Sequence, residues 1–107
     1  MKAVDQAQPD ATLSATDLDR MVGPDPHRSG PARGRLLAEQ VPVWALIGDL
    51  GALAGTTEPS AFSDAVVAEV ACGFDISIEA VQAALRYYAR HRGAIDALLE
   101  ANAAALA

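Results

Sequence analysis

The histidines, the cysteine and the closely spaced carboxylates are the side chains of this sequence fitted to acid–base, nucleophilic or metal chemistry, and their spacing decides how far that chemistry goes. His27 and His91 lie far apart, with no HxxxH or Cys-His spacing that would bring two ligands to one metal. Cys72 precedes Gly73 on a segment whose apolar positions turn inward, which predicts a buried, inert thiol with no base beside it. Asp64 with Glu69 and Asp75 with Glu79 form acid pairs, but nothing rich in glycine or lined by aromatics accompanies them to shape a pocket. Carboxylates near helix starts are explained by the positive end of the helix dipole. The sequence therefore predicts a non-enzyme, with no catalytic residue, cofactor, metal or small-molecule substrate.

Polar groups suited to recognition are better organised. Of eight basic residues, Arg28, Arg33 and Arg35 fall together in the first third of the chain, and Arg86, Arg90 and Arg92 fall together late in it. The net charge of −6 argues against nonspecific coating of nucleic acid, which depends on Lys and Arg displacing counterions. Two local basic patches on an acidic body are compatible with DNA contact. They are equally compatible with solvated charges, the second patch lying at a helix C-terminus.

The element that must position the second patch is a helix from Ser77 to His91. Ser77 is a natural N-cap, Glu79 sits in the first turn, and Ile78, Val81, Leu85 and Tyr88 recur at helical spacing as the expected inward side. Glu79, Gln82, Arg86 and Arg90 occupy the opposite side. A recognition helix is built this way, and so is an ordinary surface helix.

Upstream, Val43, Leu46, Ile47, Leu50 and Leu53 mark a first core helix that begins at Pro42 and ends near Ala54-Gly55. Gly48 and Gly51 within it suggest close packing against a neighbour. A second helix is expected over Ala61 to Cys72, with Phe62, Val66, Val70 and Val67 as its inward candidates and Gly73 as its stop. The connection Gly73-Phe74-Asp75-Ile76 then has the length found between the helices of a helix-turn-helix. Gly34 to Val43 reads as an extended segment, since Val41 precedes Pro42, and a short strand there is placed to pair with its copy in another subunit. Before it, Pro9, Pro24, Pro26 and Pro31 punctuate a stretch expected to be a flexible arm that orders on a partner, with Leu18, Met21 and Val22 as its apolar anchors. Past Gly93, Ile95, Leu98 and Leu99 form a small apolar stripe.

The fold class is thus mainly α: a three- to four-helix, helix-turn-helix-like domain over 34–107, with a short extended or β segment before its first core helix and a flexible N-terminal arm over 1–33. The 107 residues, 51% apolar but with five aromatics, supply one small domain resting on aliphatic and alanine packing. No stretch reaches the roughly 18 apolar residues of a membrane span. One cysteine and the absence of a signal-peptide-like start point to a reducing cytoplasm.

The segments VPVWALI and FDISIEAVQAALRYYARHRGAID, with the helix between them, resemble the DUF433 family of small prokaryotic proteins. Its members share a PVW-type helix start, a Tyr-Asp-Leu-Ser-like turn and an ALxYY helix followed by an acidic ID. The likeness spans Gly34 to Asn102; where the family has a Gly-Thr-Arg-like turn, this chain has Ala38-Glu39-Gln40. The resemblance implies a homodimeric antitoxin of a toxin-antitoxin pair, neutralising a PIN-like ribonuclease and binding operator DNA. On that view the Ser77 helix enters a major groove, Gln82 and Arg86 read adenine and guanine edges, and Arg33, Arg35 and Arg90 serve phosphates. Leu18, Met21 and Val22 of the arm would grip the toxin, with the tail from Ile95 as the other segment able to do so. The alternative is a non-enzymatic protein-interaction adaptor of the same shape that does not bind DNA.

Overall fold

A computed structural model describes residues 13–106 of the chain. It is mainly helical, as expected, with a short two-stranded ribbon ahead of the core helices. In chain order the elements are α1 (Ala15–Asp19), β1 (Val22–Gly23), β2 (Arg35–Leu36), α2 (Val43–Ala54), α3 (Asp64–Phe74), α4 (Ile78–Arg90) and α5 (Arg92–Leu106). Turns of 3₁₀ helix cover Pro31–Arg33 and Pro59–Ala61. Among the described residues no helix is long and apolar enough to cross a membrane.

Pro42 is the N-cap of α2, and Gly55 ends the helix in the left-handed region at φ 79°, donating its N–H to the Gly51 carbonyl at 2.8 Å. The two internal glycines differ. A Cβ on Gly51 would lie 2.9 Å from the Thr57 methyl, so packing there is close, whereas one on Gly48 would make ordinary contact with Leu99 at 3.5 Å.

The second helix is shifted from its expected place. It starts at Asp64, where the Ser63 hydroxyl accepts the Val66 N–H, and it runs through Gly73 to Phe74. Asp75 is the stop, in left-handed conformation at φ 57°. Its N–H donates to Cys72 O and that of Ile76 to Ala71 O, which closes the helix without a glycine. Phe62 therefore lies in the connection before α3, half-buried, and three residues separate α3 from α4. Cys72 is exposed, correcting the expectation of a buried thiol: Val67, Val70 and Ala71 form the inward side, and Cys72 is rotated past it.

The Ser77 cap holds as read, accepting the Ala80 N–H at 3.1 Å. Val81 and Tyr88 are fully buried, together with Leu46, Ile47 and Leu50 of α2 and Ile95 of α5. Each such side chain contributes about 1.5–3 kcal/mol by leaving water. Ile78, expected inward, is 45% exposed, because on α4 it is rotated from Val81 toward Gln82. The Tyr88 hydroxyl donates to Asp96 Oδ1 at 2.6 Å, with the Thr57 carbonyl 3.3 Å away. Asp96 also faces Arg92 at 3.6 Å, and Arg92 reaches Glu58 at 2.9 Å. This chain of contacts ties α4, α5 and the α2–α3 connection together.

The largest departure concerns the expected arm over 1–33. Residues 1–12 lie outside the described residues; from Leu13 onward the segment belongs to the folded body. Ser14 and Asp17 form a reciprocal capping box for α1. Leu18, Met21 and Val22 pack against the core, and β1 pairs antiparallel with β2 in the register Val22↔Leu36 and Gly23↔Arg35. The other side of Arg35 bridges to Pro42. The extended segment is thus paired within its own chain, and the expected strand pairing with a second copy is replaced by this ribbon.

Candidate functional site

Gln82, Arg86 and Arg90 share the solvent side of α4, as the periodicity predicts. All three are exposed. Gln82 borders a groove of about 420 Å³ between α3 and α4, walled by Phe62, Val67, Ile78 and Leu85 with Asp64 at its rim. That groove is mainly apolar, and among the described residues no arginine lines it.

On the other side of Gln82 the surface is occupied. Arg86 donates from Nε to Asp19 Oδ1 at 2.8 Å and from a terminal nitrogen to Asp19 Oδ2 at 3.2 Å, and Arg90 donates to Asp19 Oδ1 at 3.1 Å. One carboxylate thus joins two guanidiniums. The Arg86 hydrogen bonds, followed by that of Arg90, outweigh partial desolvation and hold the Asp19 carboxyl below the usual carboxylate range; the same pairing pushes Arg86 up. The side chains remain 37–44% exposed, so the cluster is screened by water and individually modest in energy.

Tyr87 connects this flank to the first basic cluster. Its hydroxyl donates to the Pro31 carbonyl at 2.6 Å, its ring lies against Gly34, and the Arg90 guanidinium is 5.8 Å from the ring centroid. Arg33 and Arg35, both half-buried, follow Pro31 directly. Arg33 lines a cleft of about 560 Å³ with Asp25, Arg28, Trp44 and Asn102. Arg35 has its Nε buried with no hydrogen-bond partner among the described residues. The structure therefore brings Arg86 and Arg90 together on α4 and places Arg33 and Arg35 on the neighbouring segment, linked to α4 through Tyr87. Arg92 does not join them, because it pairs with Glu58 and Asp96.

Leu18, Met21 and Val22 are not displayed as anchors for a partner. They are half-buried on this chain's own core, which corrects the reading of them as a free gripping surface. Among the described residues the exposed large apolar side chains are Leu13, Leu37, Leu53, Ile78 and, at the end of α5, Leu106. His91 caps α4 with its ring centroid 4.4 Å from that of Tyr87, and His27 is exposed, its N–H donating to Asp25. Among the described residues no group of three or more His, Cys, Asp and Glu side chains converges as a metal site.

Sequence reasoning missed Asp19. Its signal was slight: one carboxylate in a short capped turn, with nothing to indicate that Arg86 and Arg90 were its partners. Comparison with protein-family models, curated proteins and solved structures found no match to this chain.

Proposed function

We propose that this protein is a non-enzymatic, homodimeric antitoxin of the cytoplasm, which neutralises a PIN-like ribonuclease by direct binding and contacts operator DNA through α4. The observation that carries the reading is the α3–turn–α4 unit: two capped helices joined at Asp75–Ser77, the second exposing Gln82, Arg86 and Arg90 along one side. The resemblance of Gly34 to Asn102 to the DUF433 family supplies the antitoxin role. With Leu18, Met21 and Val22 committed to the core, the toxin contact falls to the tail, whose end from Ala103 to Leu106 is exposed.

Salt-dependent binding to a duplex from the region upstream of its own reading frame tests the DNA half. Gln82→Ala is expected to change sequence preference, and Arg86→Ala, whose guanidinium holds a carboxylate in the bidentate manner it would hold a phosphate, to weaken binding. Arg33→Ala is expected to weaken binding uniformly and lower the salt slope by about 1. Copurification with a neighbouring nuclease, lost on removal of residues 103–107, tests the other half. The second reading, an adaptor that binds protein and not DNA, is favoured by the apolar groove beside Gln82. It gains if the duplex is not bound while a protein partner is, and Ile78→Glu in the groove abolishes that partner's binding.

A further inference from the structure

We infer that Arg86 and Arg90 form a backbone-phosphate site whose resident occupant is the chain's own Asp19, so that α1 must leave for DNA to be bound through this flank. The inference rests on the DNA-reading role proposed above and adds its regulation.

The geometry is that of a ligand in a site. A carboxylate presents two oxygens to Arg86 and shares one of them with Arg90, the bidentate pattern by which guanidinium also binds phosphate. While Asp19 is there, neither arginine offers its full charge to an outside anion. Of the seven arginines among the described residues, these two are the ones on the exposed side of α4, so their neutralisation removes the attraction that a recognition helix needs.

The occupant is also built to be displaced. A five-residue helix cannot sustain itself, because nucleation costs more than one or two turns return. What keeps α1 in place is the docking of Leu18, Met21 and Val22, which are half-buried, and the exposed Asp19 cluster. None of the residues of α1 is fully buried. Backbone phosphates arriving at Arg86 and Arg90 would replace one set of charge-assisted hydrogen bonds by another, and α1 would lose the contact that orients it.

The test measures duplex binding by wild type, Asp19→Asn and Asp19→Asn/Arg86→Ala, using the upstream duplex over a series of salt concentrations. Asp19→Asn removes the charge and leaves the Ser14–Asp17 cap intact. It is expected to bind about tenfold more tightly with an unchanged salt slope, since the same two guanidiniums meet phosphates once Asp19 has left. The double variant is expected to lose the gain. Unchanged affinity in Asp19→Asn, with Arg86→Ala weakening the wild type, overturns the inference while leaving the DNA reading standing. Failure of every variant to bind overturns both. Should Asp19→Asn not fold, hydrogen exchange on the wild type decides: added duplex is expected to speed exchange of the Leu18, Arg20 and Met21 amides and not those of α2. Unaltered exchange in α1 on saturation with duplex refutes the displacement.

Discussion

The carboxylate of Asp19 grips the guanidinium of Arg86 through two hydrogen bonds, at 2.8 and 3.2 Å, across 67 positions of sequence. This pairing covers the flank of α4 that carries the basic side chains, and it adds to the docking of Leu18, Met21 and Val22 in orienting α1 on the folded body. Both effects come from one residue, so removing its charge separates the packing of α1 from its electrostatics.

Acid provides one such removal. Arg86, and then Arg90, hold the Asp19 carboxyl below its ordinary value of 3.8. A group whose pKa is depressed by folding contributes stability that is present above the unfolded value and lost as pH falls through the folded value. The attachment of α1 is therefore expected to hold at neutral pH and to weaken as pH falls below 3.8. Glu58 is lowered in the same way by Arg92 and titrates in the same direction, so a global melt would mix the two. Amide exchange resolves them. The amides of α1 should lose protection in this acid range in the wild type, and in Asp19→Asn they should show the same protection above and below it. Acid loss of α1 protection persisting in Asp19→Asn would assign the step to another group.

Much of this fold is legible in local sequence because its signals are local. Ser77 before an amphipathic run, Pro42 before Val43 and Gly55 after Ala54 act within one helical turn, and each lies where the sequence places it. The errors arose where two local signals competed. Gly73 and Asp75 both suit a helix end; the end fell at Asp75, whose left-handed conformation lets Phe74 and Ile76 pack on the core. Composition misled in a different way. The residues from Ser14 to Arg33 look like an arm because their partners, Arg86, Tyr87 and Leu36, are all remote or across a turn. The polar side of α4 was readable as a side, but Asp19 as its occupant was not, since no periodicity links a short turn to a helix so far along the chain.

The Tyr88 hydroxyl gives the RYYARHRGAID segment a structural meaning. Tyr88 is fully buried, and Asp96, eight residues on, accepts a hydrogen bond from its hydroxyl at 2.6 Å. Tyr88→Phe leaves that carboxylate with Arg92 alone, and is expected to destabilise the domain by about 1–2 kcal/mol in thermal or urea unfolding. Burial first, and then the Asp96 carboxylate, pushes the Tyr88 phenol up from its ordinary 10.0. With a raised folded value, the contribution is present below 10.0 and lost as pH rises through the folded value. Burial raises the Tyr87 phenol as well, so the tyrosine-linked step in alkaline unfolding should shrink in Tyr88→Phe and disappear only when both tyrosines are replaced by phenylalanine. A Tyr88→Phe protein as stable as wild type would mean that the hydroxyl is equally well served by water.

Two glycines should respond with opposite sign to the same substitution. At Gly34 a Cβ would stand 2.7 Å from both Cε1 and the hydroxyl oxygen of Tyr87, so alanine can be accommodated only if that ring moves and releases the Pro31 carbonyl. Overpacking of this kind costs about 1–3 kcal/mol. At Gly73, inside α3, a Cβ meets nothing within 4 Å, and alanine there should stabilise by about 0.5–1 kcal/mol through helix propensity. Gly34→Ala should also loosen the segment carrying Arg33 and Arg35, because Tyr87 is what fastens it to α4. Faster amide exchange at Arg33, whose N–H bonds to the Gly30 carbonyl, would register this directly. If Gly34→Ala melts at the wild-type temperature with Arg33 exchange unaltered, Tyr87 has room to shift, and the link it makes between the two basic clusters carries no strain.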